Sequence, residues 1–280
     1  MILLLFIGCL EKPQKISQNV TPVVLPMDED VAHGVLDNGV TWMIEESVKP
    51  EQRAELRVVI KVGSTAEDDD QLGVAHFLEH MAFNGTEQYP KNTLIEYMES
   101  IGMRFGAHVN ASTSFNETIY KLQVPTDDPK HLEQGIILLK EQVAHQLLLD
   151  EDIEDERGVV LEEWRLRQGA GSRIQDEILL STFGNSRYTG RLPIGTKESI
   201  EKFTPEAVRR FYKDWYRPDL MGVFAVGDFD SAVVQTYIEE HFGQITSNSD
   251  REREVYDVPD HAEPTFSIVS DKEILSPSVS

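Results

Sequence analysis

The sequence predicts an α+β protein, a two-layer domain in which helices cover a mostly antiparallel sheet. Its 280 residues, of which 40% are hydrophobic and 27% charged, are typical of a chain that buries a core. Turn chemistry and the period of the apolar residues predict the elements. These are a hairpin around Asn38-Gly39, strand-like alternation in 54–61 and 119–124, and helical spacing in 91–101 and 129–148.

Each of these elements has its own signal in the sequence. Asn38-Gly39 supplies the positive φ values that a tight turn between two strands requires. In 54–61 apolar residues alternate with mostly polar ones, which suits a strand covered on one face. Gly102 is the stop signal of the helix before it, and Pro125 ends the second of two β segments predicted within 105–124. The helix over 129–148 has its apolar residues on one stripe.

The first nine residues are apolar and end in Cys9, the single cysteine of the chain. A membrane-spanning helix needs about 20 residues, so this run is too short to span a bilayer. It resembles a bacterial lipobox at the end of a secretory signal, whose cysteine is lipidated. A plain signal peptide with an incidental cysteine is the alternative. Residues 10–26 are polar and unpatterned, as in a flexible tether. We expect a protein of the bacterial cell envelope, on the periplasmic side, anchored to a membrane by lipid.

The chain is strongly acidic, with a formal charge of −23 and a pI near 4.6. A nucleic-acid partner would normally need a basic stripe, so this class of partner is not expected. Acidity of this size mainly keeps a protein soluble, and the alternative is a negative field that favours cationic peptides.

The stretch 73–85 has the most specific chemistry. Read as a helix, it places His76, Glu79 and His80 at i, i+3 and i+4, so all three side chains leave from one face. Two imidazoles one turn apart can hold one Zn²⁺, and a carboxylate beside them can take a proton from water that the metal has acidified. The order H-x-x-E-H is the inverzincin motif. Chance occurrence in an acidic chain with 8 histidines is the alternative, so the rest of the chain must decide.

A second helix offers the remaining ligand. Glu156 and Glu163 are seven residues apart, which is two turns, so they share a face. Two acids stacked on a helix usually belong to a solvated surface. Together with His76 and His80 they gain another interpretation, because a catalytic zinc takes three protein ligands and His₂Glu is a standard set. Glu162 is the nearest rival for the third position.

Several motifs together resemble the pitrilysin/insulinase (M16) family of zinc peptidases, in the branch of the mitochondrial processing peptidases and their bacterial relatives. They are the pentad within 73–86, the Glu-Arg-Gly-Val-Val segment at 156–160, the stretch 106–120 with Asn110-Ala111, the segment 191–196, and parts of 211–228. The likeness covers about residues 30–250. Chance is no longer a serious alternative for the pentad.

The resemblance implies the LuxS/processing-peptidase-like metallohydrolase fold, with one Zn²⁺ per domain. His76, His80 and Glu163 would bind the metal, and Glu79 would be the general base. Glu156 matches a further acid of the family that assists the base or orients a ligand. The match through Glu156 and the two-turn spacing favour Glu163 over its neighbour as the third ligand.

The resemblance also implies that the strand around Asn110 and Ala111 presents its edge to an extended peptide. A turn or capping side chain is the alternative for Asn110. Family members have a second, similar domain and usually a whole second half, so we expect such a partner.

We therefore expect a signal or lipobox segment over 1–9, a tether over 10–26, a catalytic zinc peptidase domain over 27–246, and a linker with the truncated start of a second domain over 247–280. Within the last segment, a strand-like run is predicted to begin at Thr265. The predicted activity is that of a zinc-dependent metalloendopeptidase acting on short or unfolded peptides. Two alternatives stay open: a non-catalytic subunit of the same fold, and a lipoprotein that binds extended peptides without cutting them.

Overall fold

A computed structural model describes residues 26–91, 93–247, 249–261, 263 and 266–274. The predicted signal segment with Cys9, and all but the last residue of the predicted tether, lie outside these residues. Within the described ranges, no helix combines the length and the apolar character that crossing a membrane requires.

Six strands form one sheet, in the order β1-β2-β6-β3-β5-β4. All neighbouring strands are antiparallel except β2 and β6, which confirms the predicted mostly antiparallel sheet. The predicted hairpin is β1-β2, and Gly39 in its turn has a φ of 97°. The strands are β1 Val31–Val35, β2 Thr41–Glu46, β3 Arg53–Ile60, β4 Val109–Thr113, β5 Thr118–Pro125 and β6 Met221–Gly227.

Helices cover one face of this sheet. On β3 the alternate residues Ala54, Leu56, Val58 and Ile60 are buried, whereas Arg57 between them is exposed. The helices are α1 Val74–Met81, α2 Thr93–Ser100, α3 Pro129–Ala144, α4 Asp150–Leu166, α5 Ala170–Phe183, α6 Lys197–Lys202, α7 Pro205–Trp215 and α8 Ser231–Phe242. Short 3₁₀ turns lie at Ser64–Ala66, Arg187–Gly190 and Pro218–Leu220. The two-layer α+β prediction is confirmed.

Two sequence predictions differ from the structure at element ends. The helix predicted over 129–148 ends at Ala144, because Gln146 forms a β-bridge with Thr86 and Leu148 adopts a positive φ of 48°. The strand-like run predicted to begin at residue 265 is not a strand in its described part, 266–269. Phe266 and Ile268 are almost fully exposed there, with no neighbouring strand to pair with in the described residues.

The metal helix predicted from the sequence, α1, lies at one end of the sheet. It packs against the strands β4 and β5 and against the helices α4 and α7. Its apolar residues Val74, Phe77, Leu78 and Met81 are buried in the core. This burial leaves the polar face of the helix directed at α4 and the edge strand β4.

Candidate metal centre

Two helices bring three potential metal ligands together. His76 and His80 come from α1, and Glu163 comes from the last turns of α4. The Nε2 atom of His80 lies 3.2 Å from Oε2 of Glu163, and Nε2 of His76 lies 3.6 Å from the same oxygen. One ligand atom from each residue lies within 4.8 Å of the others. Among the described residues, no other group of three His, Cys, Asp or Glu side chains meets this condition.

The donor set suits zinc. Zn²⁺ takes imidazole nitrogen and carboxylate oxygen at about 2.0–2.2 Å, and catalytic sites use three protein ligands and leave one position open. The three atoms converge from two helices, and all three residues line an open cleft. The arrangement is therefore that of an open His₂Glu site.

Glu156 lies behind His80 and is not one of the three converging residues. Its Oε1 is 2.8 Å from Nδ1 of His80, and Asn84 Nδ2 donates to its Oε2 at 2.6 Å. A carboxylate can only accept, so Nδ1 of His80 carries the proton and Nε2 is left to face Glu163. Carboxylates that fix a ligating histidine in this way are common in zinc sites.

Glu79 faces the same cleft beside the two histidines. Thr113, at the end of β4, donates its hydroxyl to Oε2 of Glu79 at 2.7 Å. Burial raises the pKa of Glu79, and the hydrogen bond from Thr113 opposes this shift. Glu79 is thus a buried carboxylate with one oxygen held and a proton affinity above that of an ordinary glutamate.

The charges of the cluster are strongly coupled. Burial and the neighbouring His80 lower the pKa of His76 to about 4, which keeps this imidazole neutral. Burial alone would lower the pKa of His80, but its hydrogen bonds with Glu156 and Glu163 outweigh this effect and raise it to about 9. The bond to His80 lowers the pKa of Glu163 to about 2.

Of the two adjacent acids on α4, only Glu163 joins the cluster. Glu162 points to solvent and forms an ion pair with Arg165 at 2.6 Å. Oε1 of Glu163 accepts a hydrogen bond from Arg167, one turn further along, so the other oxygen is the one that faces the histidines. The helical phase of α4 therefore separates two residues that composition alone could not distinguish.

The cleft beside the cluster has a volume of about 600 Å³. One wall is the edge strand β4, which includes Asn110 and Ala111. Oδ1 of Asn110 accepts a hydrogen bond from the backbone N–H of Ala111 at 2.8 Å, which is the local capping contact left open as the alternative for this side chain. The lining also includes the apolar side chains of Phe83, Ile95, Phe105 and Val159.

The sequence analysis missed three residues that contact the predicted site: Thr113, Asn84 and Arg167. Asn84 lies within the stretch 73–85 and Thr113 within the stretch 106–120, but neither has a spacing that would point to Glu156 or Glu79. Arg167 could have been found, because Glu163 and Arg167 stand at i and i+4 on a helix.

The fold and this open His₂Glu cluster place the chain among metallopeptidase-like proteins. The chain belongs to the insulinase family, peptidase family M16. The model of this family matches residues 42–190, and a model described as the peptidase M16 inactive domain matches residues 202–278. The second match begins within the predicted catalytic domain and includes β6, which lies between β2 and β3 in the same sheet.

Curated relatives of this chain are named as zinc proteases. The chain is 38% identical to the probable zinc protease PqqL of Escherichia coli over 89% of its own length and 27% of that protein. It is 40% identical to the zinc protease PQQL-like of Arabidopsis thaliana, over 88% of this chain and 26% of that one. The chain therefore spans about a quarter of the length of these relatives.

Solved structures agree with the fold. The structure of the first half of the periplasmic protease PqqL from Escherichia coli superposes with a TM-score of 0.81 at 37% identity, covering 85% of this chain and 51% of that one. The ferredoxin protease FusC in complex with Arabidopsis ferredoxin gives a TM-score of 0.76 at 29% identity, over 81% and 25% of the two chains.

Proposed function

We propose that this chain is the zinc-binding part of a metalloendopeptidase that hydrolyses peptide bonds in short or unfolded peptides. The observation that supports this most is the convergence of His76, His80 and Glu163 to within 4.8 Å, with Glu79 beside them on the same cleft. The names of the relatives as zinc proteases are consistent with it.

In this proposal His76, His80 and Glu163 hold one Zn²⁺. When bound there, zinc supplies a Lewis acid that polarises a peptide carbonyl and acidifies water. Glu156 fixes the tautomer of His80 through Nδ1, so that Nε2 is available as a ligand. Arg167 holds one oxygen of Glu163 and leaves the other free for the same purpose.

Glu79 is proposed as the general base that takes the proton from the attacking water and passes it to the leaving amine. Its Oε2 is occupied by the hydroxyl of Thr113, which leaves Oε1 for the transferred proton. A base works best when its pKa is near the operating pH, and burial shifts the pKa of Glu79 upward in that direction.

The substrate is proposed to enter as an extended strand along β4. This strand is the last in the sheet order, so one side of its backbone has no neighbouring strand among the described residues. A peptide paired there past Asn110 and Ala111 would run along the same cleft that Glu79 and the two histidines line.

For the location we propose the periplasmic side of a bacterial cell envelope, with a lipid anchor at Cys9 as the membrane link. The support is the description of the Escherichia coli relative as a periplasmic protease, together with the lipobox-like N-terminus. A second homologous domain or half is the proposed partner, since the relatives are about four times as long as the matched part.

Cleavage of a quenched, unfolded peptide by the zinc-loaded chain tests this function, with Glu79→Gln as the inactive control. Turnover that is abolished by Glu79→Gln supports the peptidase. Turnover that survives Glu79→Gln contradicts the assigned base. Peptide binding with zinc bound but without turnover would favour the second candidate, a peptide-binding protein that is inactive without a second half.

A further inference from the structure

The start of α1 is held by a side chain from outside the helix. Gly73, the N-cap residue, has no side chain to offer and sits at a φ of 90°. Instead the carboxylate of Glu67 accepts a hydrogen bond from the N–H of Gly73 at 3.0 Å and another from the N–H of Ala75 at 2.9 Å. Glu67 is fully buried, so no water competes for these contacts.

Glu67 is itself fixed by two arginines from a distant part of the chain. Its main-chain oxygen accepts hydrogen bonds from Nη2 of Arg187 at 2.6 Å and from Nε of Arg191 at 3.1 Å. Arg187 also donates to the main-chain oxygen of Thr65, and Ser64 donates its hydroxyl to the main-chain oxygen of Arg191. The loop before α1 and the segment 187–191 thus brace each other.

Ile194 and Gly195, just after this segment, also lie close to the start of α1. A Cβ atom at Gly73 would lie 2.8 Å from the main-chain oxygen of Ile194, and one at Gly195 would lie 2.8 Å from Cα of Gly73. Both backbones therefore approach as closely as glycine allows. In the sequence, the segment 191–196 stands out only for its resemblance to the family. In the structure, this segment packs against the first turn of the metal helix.

This bracing fixes the position of two predicted ligands. The helix α1 has only 8 residues, and a helix this short is not stable by itself. His76 follows Ala75 directly and His80 lies one turn later, whereas Glu163 is on another helix. A shift or rotation of α1 at its start would therefore move both imidazoles relative to the carboxylate of α4.

We propose that Glu67 is a positioning residue for the metal centre, which sets the place of His76 and His80 by holding the first turn of α1. The inference rests on the proposed function, namely that these histidines and Glu163 hold zinc. It differs from a purely structural role, in which loss of Glu67 would lower stability and leave the metal site of the folded protein unchanged.

The charge of Glu67 is costly to bury. Burial raises its pKa to about 8, although the two backbone N–H groups and the two arginines oppose the shift. Its hydrogen bonds therefore do not repay the cost of burying the charge. The contacts of Glu67 with the first turn of α1, and not a favourable charge, are therefore the basis for its role in placing the helix.

The test compares the full chain with Glu67→Gln, a variant of equal length in which an amide NH₂ group replaces one of the two oxygens that accept from Gly73 and Ala75. Zinc affinity is measured by competition with a chromophoric chelator, and the visible spectrum of Co²⁺ at saturation reports the ligand geometry. We expect Glu67→Gln to remain folded, as judged by circular dichroism. It should bind zinc at least about 10-fold more weakly, as is usual when a residue that orients metal ligands is lost, and should give an altered Co²⁺ spectrum.

Val234→Ala is the matched control for lost stability. Val234 is fully buried on α8, which packs against β2 and α3 rather than against α1. This variant should melt at a lower temperature and keep the zinc affinity and the Co²⁺ spectrum of the original chain. If it loses zinc as Glu67→Gln does, the effect is one of stability and the inference is overturned.

The remaining outcomes separate the inference from the proposed function. If the unaltered chain binds no zinc, the proposed function fails and the inference fails with it. If the chain binds zinc and Glu67→Gln matches it within twofold with the same Co²⁺ spectrum, only the inference is overturned. If Glu67→Gln does not fold, Arg191→Gln is used instead, because it removes a donor to the main-chain oxygen of Glu67. Zinc binding that is weakened severalfold in Arg191→Gln supports the inference, and unchanged binding overturns it.

Discussion

Thr113 and Glu79 are joined by one hydrogen bond, and its removal gives a sharp prediction about catalysis. Thr113→Val replaces the hydroxyl by a methyl group of nearly the same shape, so the edge strand β4 should keep its place. The bond is 2.7 Å long and its acceptor is a buried carboxylate. Hydrogen bonds to charged groups contribute about 1.5–3 kcal/mol.

If Glu79 depends on this bond for its orientation in the transition state, that energy converts to a loss of about 10- to 100-fold in kcat. KM should stay within about twofold, because Thr113→Val leaves the main chain of β4, along which the substrate is proposed to bind, unchanged. Thr113→Ser restores the hydroxyl and should recover most of the rate. The assay is steady-state cleavage of a quenched peptide by the zinc-loaded protein.

Thr118→Val is the matched control. Thr118 lies directly opposite Thr113 in the β4–β5 register, and its hydroxyl donates to the main-chain oxygen of Val62 at 3.1 Å instead of to Glu79. This change should lower stability by about 1–3 kcal/mol and leave kcat nearly unchanged. A Thr113→Val variant that keeps its kcat within twofold, or a Thr118→Val variant that loses as much, would refute the reasoning.

Two further predictions concern stability. Gly73→Ala should destabilise the fold by about 2 kcal/mol or more, because it adds backbone strain and a close contact with Ile194. Gly102 has a φ of 83° but open space around it, so Gly102→Ala should cost only about 1 kcal/mol. Urea unfolding of both variants measures these losses, and equal losses would be inconsistent with the close approach at Gly73. The folded pKa of Glu67, about 8, lies above its ordinary value of 4.5, so the folded state binds more protons between these limits and Glu67 should make stability fall as pH rises from about 5 to 8. Glu67→Gln should remove this slope in urea unfolding across that range, and a variant that retains the full slope would show that another group causes it.

The sequence indicates the local part of the candidate site well. Helical spacing alone puts His76, Glu79 and His80 on one face, and the structure has them there. The two-turn spacing from Glu156 favours Glu163 over its neighbour, and the structure brings the carboxylate of Glu163 to the histidines. These placements follow from the period of one helix, which a sequence displays directly.

Contacts between distant segments could not be read in this way. The bond from Thr113 to Glu79 joins residues 34 apart and depends on where β4 lies in the sheet. The strand β6 is distant in sequence from β2 and β3 but lies between them in the sheet, and its own residues do not indicate that position. Glu67 begins the acidic run 67–70, whose composition predicts a solvated loop. That prediction is wrong for Glu67, which is fully buried because the main chain at α1 and two arginines enclose it. Such placements are decided by tertiary packing.

Zinc content tests the central claim most directly. The full chain, Glu163→Gln and Glu162→Gln are purified in parallel, and zinc per folded chain is measured by atomic emission. The two variants remove the same charge from adjacent positions, and only Glu163 faces the histidines. We expect about one zinc in the unaltered chain and in Glu162→Gln, and little or none in Glu163→Gln. No zinc in the unaltered chain, or equal zinc in both variants, would contradict the ligand assignment.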